Sequence, residues 1–108
     1  MYKIQVYLPP ESLRKIRKAV EQAGGGKIGN YEGCMSWWKV CSSWVTMDGA
    51  HPYHGEVGER TEAEEYILQC RVDEAHIEPV VRAIKKAHPY EEPVVDVVRL
   101  DEKSFLSV

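Results

Sequence analysis

Two stretches of helical periodicity, residues 11–23 and 74–87, are each bracketed by stretches that alternate, and this order constrains the fold more than any other feature. Residues 2–8 put Ile4, Val6 and Leu8 on one side and Lys3, Gln5 and Tyr7 on the other, the pattern of a strand with two unlike faces. Pro9-Pro10 ends that strand, because neither residue offers a ladder donor, and Pro10 suits the first turn of a helix. Leu13, Ile16, Val20 and Ala23 then recur at helical spacing, and Gly24-Gly25-Gly26 stops the run. Residues 34–47 read as a long strand, or as two collinear strands bent at Ser42-Ser43. Its bulky groups fall on both faces, so neither face reads as simply solvated. Residues 48–60 are a glycine-punctuated connection too long for a tight hairpin. Residues 61–72 alternate again, with Tyr66, Leu68, Cys70 and Val72 sharing a face. Asp73 is placed to cap the second helix, whose core stripe is Ile77, Val80, Val81 and Ile84, and Pro79 shifts its start toward residue 77. A turn over 88–93 leads to a last strand over 94–100.

The resulting order is β-α-β-β-α-β. With right-handed crossovers it makes an α+β, ferredoxin-like sandwich: a four-stranded antiparallel sheet with two helices on one face. A chain of 108 residues holds one such domain, expected over 1–100, followed by a tail over 101–108 that is frayed or docked through Phe105 and Leu106. Trp37, Trp44, Val95 and Val97 are expected on the sheet face that lacks helices. They argue against its full solvation and for a homo-oligomer with these residues in the interface.

Charge narrows the partners. The chain carries 14 Lys and Arg against 17 Asp and Glu, a formal net charge of −3, which disfavours general nucleic-acid binding. Trp37, Trp38 and Trp44 lack interleaved basic residues apart from Lys27 and Lys39, so they read as core or interface rather than as base-stacking platforms. No stretch has the continuous apolar length of a membrane span, and the first residues are too polar for a signal peptide. Cys34, Cys41 and Cys70 are odd in number with no close pair, the usage of reduced thiols in a cytoplasmic protein.

Three ordered motifs add a family resemblance. Gly29-Asn30-Tyr31-Glu32-Gly33-Cys34, Gly49-Ala50-His51-Pro52-Tyr53-His54-Gly55-Glu56-Val57-Gly58 and His88-Pro89-Tyr90-Glu91-Glu92-Pro93 closely resemble the inserted domain of the YqfO-type, NIF-three-like proteins, which are hexameric and bind a pair of metal ions. That inserted domain is itself similar to the PII signal proteins and the CutA divalent-cation tolerance proteins. The resemblance covers nearly all of residues 2–100 and implies a PII/CutA-like protomer and a trimeric assembly. It implies a structural role for the turn His88, Pro89, Tyr90, Glu91 and Pro93, with the Tyr90 phenol packed and the Glu91 carboxylate bonded to a backbone or a neighbouring subunit. The dinuclear metal ligands of that family lie in the two flanking parts, which have no counterpart among these residues, so none is carried over. His51 stands where Asn is common in the family and His54 where an aliphatic residue is common.

Three chemistries remain to be weighed on the residues. His51, His54, Glu56 and His88 are of the types that hold a divalent metal such as Zn or Cu, against the alternative that they shape turns and an interface. Gly25, Gly26, Lys27, Gly29, Asn30 and Tyr31 are of the types that cradle a small anionic ligand at a subunit cleft, against a helix end and an assembly contact. Cys34 or Cys41 with His51 or His88 is the one nucleophile–base combination available, and it lacks any supporting constellation, so no catalytic residue is assigned. The expectation is therefore a non-enzymatic oligomeric regulatory or assembly module, binding a small ligand or divalent metal between subunits or engaging an unidentified protein partner. A purely structural interaction protein is the alternative, and a metal-dependent or cysteine-based enzyme the third.

Overall fold

The computed structural model describes residues 1–107. Strand β1 (Tyr2–Leu8) leads through a single 3-10 turn (Pro10–Ser12) into helix α1 (Leu13–Gln22); β2 (Met35–Val45) and β3 (Arg60–Val72) follow, then helix α2 (Ile77–Ala87), β4 (Val95–Arg99) and a closing 3-10 turn (Glu102–Phe105). The sheet order is β2-β3-β1-β4 and every pairing is antiparallel. Ile16 and Val20 of α1 and Val80 and Ile84 of α2 bury against Ile4, Val6, Leu8, Leu68, Cys70 and Val72, so both helices cover one face, as in a ferredoxin-like sandwich.

Local chemistry sets the element ends. Helix α1 starts at Leu13 because Pro9 and Pro10 leave only a 3-10 turn before it. Helix α2 starts at Ile77, two residues before Pro79. Asp73 Oδ1 accepts from the His76 N–H at 3.0 Å and closes a separate turn, so Asp73 does not cap the helix itself. Strand β2 runs unbroken through Ser42-Ser43, with no bend. Gly25 closes the α1 end by packing: a Cβ there would lie 2.7 Å from Val20 Cγ1.

Register fixes the faces, because directly opposed residues share a side of the sheet. Trp37 opposes Leu68, Val97 opposes Ile4, and Val95 opposes Val6, all core residues under the helices. The Arg17 guanidinium of α1 lies 4.3 Å from the Trp37 ring centroid. Trp37, Val95 and Val97 are thus on the helix side, and of the four residues expected on the opposite face only Trp44 is there. That face is mixed: Tyr7, Trp38, Val40, Trp44, Ile67 and Val98 alternate with Lys3, Gln5, Gln69, Glu65 and Asp96.

Strand β1 reaches along β3 only as far as Tyr66. Beyond it β2 and β3 continue alone, from Val40↔Glu65 to Val45↔Arg60, as a two-stranded ribbon that helps give the molecule its 52 × 24 × 21 Å outline. The tail folds back: Asp101 Oδ1 accepts from the Lys103 N–H at 2.8 Å, and Arg71 lies 5.2 Å from the Phe105 ring centroid, while Leu106 is exposed. The last residue of the tail, Val108, lies outside the described residues. Among the described residues no helix is long and apolar enough to cross a membrane.

Candidate functional site

The ribbon, from Glu65 at its root out to Val45, the connection over 46–59 and the turn over 88–94 line a cleft of about 680 Å³ against the helix-free face. Its floor comes from Tyr7, Glu65 and Asp96, and its walls from Trp44, Thr46, Tyr53, Tyr90 and Val94. That volume falls within the usual range of small-molecule pockets.

The turn is held by His88. This residue is 7% exposed, its Nε2 lies 2.6 Å from the Tyr7 carbonyl, and its Nδ1 accepts from the Tyr90 N–H at 3.1 Å. A carbonyl only accepts, so Nε2 carries the proton and donates, and the ring is the neutral Nε2–H tautomer. Burial holds its pKa below the ordinary value, although the Tyr7 carbonyl and the Glu65 charge both pull upward. Tyr90 then donates its phenol to Glu65 Oε2 at 2.7 Å, and Glu65 is itself 4% exposed. Burial, and next the Glu65 hydrogen bond, drive the Tyr90 pKa far up, so the phenol keeps its proton. The Glu91 carboxylate accepts from the His51 backbone N–H at 2.5 Å and ties the turn to the long connection. The Tyr90 phenol is thus bonded to Glu65 and the Glu91 carboxylate to a backbone N–H.

The connection is tied down a second time. Tyr53 donates to Glu11 Oε1 at 2.8 Å, and His54 Nε2 lies 3.7 Å from the same oxygen. The Tyr53 pKa is raised, first by that hydrogen bond. Tyr53 sits 5.8 Å from Tyr90 and 4.5 Å from His54, and Trp44 sits 6.3 Å from Tyr90, all between ring centroids, so three large aromatic rings line one space.

The residues expected to form sites are distributed otherwise. His51, His54, Glu56 and His88 do not converge: no group of three His, Cys, Asp or Glu able to hold a metal ion occurs among the described residues. Both ring nitrogens of His88 are already engaged, which removes it as a metal ligand in this arrangement. Residues 24–33 lie outside the cleft, and their amides are used internally. Gly25 N–H donates to the Val20 carbonyl and Gly26 N–H to the Arg71 carbonyl, while Ile28 and Tyr31 exchange a pair of hydrogen bonds around Gly29 and Asn30. The Gly25, Gly26 and Tyr31 amides therefore present no anion cradle, and Lys27, Gly29 and Asn30 are exposed beside them. Cys41 is exposed on β2 and Cys34 precedes it, and no cysteine hydrogen-bonds a histidine among the described residues. Burial pushes the Cys70 thiol up to about 12, so it is a packing group.

Glu65, Thr46, Tyr53 and Asp96 escaped the sequence reading of the site. A usable signal existed for Glu65: it shares its side of a central strand with Ile67, where a carboxylate must find a partner.

No family model matches the chain. Over 100 residues it is 35% identical to the GTP cyclohydrolase 1 type 2 homolog of Bacillus subtilis, a match to 93% of this chain and 27% of that protein. The Mycobacterium tuberculosis homolog of the same name is 39% identical over 99 residues, 88% of this chain and 25% of that protein. The chain thus spans about a quarter of the length of the curated relatives it matches. Among solved structures, a Bacillus cereus protein related to NIF3 superposes with a TM-score of 0.81 at 31% identity, over 94% of this chain and 26% of that one. The PII-like protein CutA from Nostoc sp. PCC 7120, in apo form, superposes with a TM-score of 0.71 at 26% identity, over 98% of this chain and 86% of that one. Sheet order, helix placement and these superpositions agree, and the chain has the fold of the NIF3- and CutA-like superfamily.

Proposed function

We propose that this chain is a non-catalytic regulatory or assembly module that works as a homotrimer and takes a small ligand in the cleft beside its ribbon. The ribbon carries this reading. Two strands without a third are marginal in water, and β2 presents an eleven-residue free edge with Trp38 41% exposed and Met47 exposed just beyond its end. A neighbouring copy laid along that edge supplies the missing pairing and covers Trp44 and the partly exposed Trp37. The cleft then lies at a seam between subunits.

The non-catalytic part of the reading is supported by the state of the reactive groups: a neutral His88 with both nitrogens engaged and a Cys70 thiol raised by burial. Three free thiols favour the cytoplasm as its compartment. The finer kinship we favour is to the inserted domain of NIF-three-like proteins, because the three motifs are present in order and the matched stretch is about a quarter of those longer chains.

Native mass spectrometry tests the proposal by reporting subunit number and any retained small molecule together. The expected species has three times the 12.3 kDa protomer mass. A monomer at micromolar concentration would overturn the assembly.

A further inference from the structure

We infer that the outer face of the two helices is a docking surface for an acidic amphipathic helix of another protein. This face lies on the other side of the sheet from the cleft, so the inference goes beyond the reading of the cleft and stands apart from it.

The charge of the chain is divided between its layers. Helices α1 and α2 hold seven of the 14 Lys and Arg residues and two of the 17 Asp and Glu, a net charge of +5, while the rest of the chain holds seven against fifteen, a net charge of −8. Arg14, Lys15 and Lys18 of α1 and Arg82, Lys85 and Lys86 of α2 are all exposed. Among the described residues only Arg82 of these six has an ion-pair partner, Glu78 at 3.5 Å. A groove of about 490 Å³ runs between the helices, lined by Ala19, Ala23, Ala83 and Ala87 together with Lys15 and Lys86. From Lys15 to Ala23 it follows α1 for roughly 12 Å, about two helical turns.

Helix stability does not account for these charges. Lys85 and Lys86 fall in the last turn of α2, where positive charge is favoured. In α1 the placement is the reverse: Arg14 and Lys15 stand in the first turn, against the positive end of the helix dipole, and no acidic residue accompanies them there. Arg14 and Lys18 are also like charges one turn apart. Cations that oppose their own helix and lack partners in the fold answer to something outside it. The surface selects that occupant. Carboxylates neutralise the exposed cations and apolar side chains enter the alanine groove, a combination that a helix with one acidic and one apolar face supplies. A nucleic acid or an anionic membrane extends past the helix pair and meets the acidic remainder of the chain, and a phosphate backbone brings nothing apolar to the groove.

The test uses the full chain in its native assembly, with binding read by calorimetry. The probe is a synthetic helical peptide of two Glu-Ala-Leu-Glu-Glu-Leu-Ala repeats. It is compared with the same peptide carrying Gln for Glu, with single-stranded DNA of similar charge, and with phosphatidylserine vesicles. The acidic peptide is expected to bind at least about tenfold more tightly than the Gln peptide at low salt, and more tightly than DNA or vesicles, with the gap between the peptides closing as salt is added. Lys15→Glu separates docking from folding. It reverses a charge that lines the groove and places an acid in the first turn of α1, so the acidic peptide should bind severalfold more weakly while the melting temperature holds or rises. Lys103→Glu makes the same change of net charge in the tail and should leave binding unaltered. Equal affinity for the two peptides, tighter binding of DNA or vesicles, or equal effects of Lys15→Glu and Lys103→Glu overturns the inference. A trimer indifferent to the acidic peptide refutes the docking surface and spares the assembly; a monomer that prefers the acidic peptide does the reverse.

Discussion

Tyr90→Phe removes one oxygen and keeps the ring that packs against Trp44 and Tyr53. The lost contact is a 2.7 Å hydrogen bond to a carboxylate that is 4% exposed. Hydrogen bonds to charged groups contribute about 1.5–3 kcal/mol, and a buried acceptor left without its donor sits toward the upper end, so we expect a loss of about 2 kcal/mol. With an m-value of about 1.5 kcal/mol/M the urea midpoint falls by about 1.3 M at fixed protein concentration. Replacing Glu65 by Gln removes the charge, so the same Tyr90 substitution in that background should cost less than about 1 kcal/mol. The double-mutant cycle should thus show a coupling of about 1 kcal/mol or more. An unmoved midpoint, or additive single effects, would show that ring packing alone holds the turn and that the phenol–carboxylate bond contributes nothing.

Other substitutions and conditions probe the remaining parts. Gly25→Ala drives a Cβ to 2.7 Å from Val20 Cγ1, and overpacking of that kind should lower stability by about 1–3 kcal/mol, read as a drop in melting temperature. The His88 imidazole titrates below its ordinary value of 6.5 in the folded protein, so the unfolded chain takes up its proton first on acidification. Stability from this group is full above pH 6.5 and declines as pH falls from there toward the depressed folded value. Urea midpoints measured between pH 7.5 and 5 should fall, and a midpoint that stays level or rises in this range would exclude a buried neutral ring. Trp38→Asp places a charge on the exposed flank of the free β2 edge and should lower the sedimentation mass while far-ultraviolet circular dichroism stays the same; an intact oligomer would remove that flank from the contact.

Most of the fold is written in local periodicity. The alternation over residues 2–8, the proline stop, the stripe from Leu13 to Ala23 and the alternation ending at Val72 each specify an element whose hydrophobic face must be buried. The start of α2 at Ile77 follows from the ring of Pro79. Side assignment along β2 was legible too, since Trp37 and Trp44 lie an odd number of residues apart and a regular strand must point them to opposite faces. Val95 and Val97 share a face by the same parity, and their register opposite Val6 and Ile4 puts that face under the helices.

The cleft could not be read in this way. Tyr7, Trp44, Tyr53, Glu65, Tyr90 and Asp96 come from six separate segments and meet only through tertiary register. The glycines over 24–33 looked like an anion cradle because composition does not show where amides point; Gly25 and Gly26 donate within the fold. His88 looked like a metal ligand for a related reason. Its availability depended on two backbone partners, one of them 81 residues away.

The six-pair ribbon leaves the sheet where Glu65 opposes Val40, and the connection beyond its far end is tied back through His51 to Glu91 and through Tyr53 to Glu11. At about 3.4 Å per residue its far end stands about 17 Å from that point, so a tilt of about 5° at the base carries the far end through about 1.5 Å. A lever of this length converts small adjustments around the aromatic rings into displacements as large as the tolerance of a packed contact. Spacing at the far tip therefore depends on the Glu65–Tyr90 bond near the base together with the ties that hold the connection.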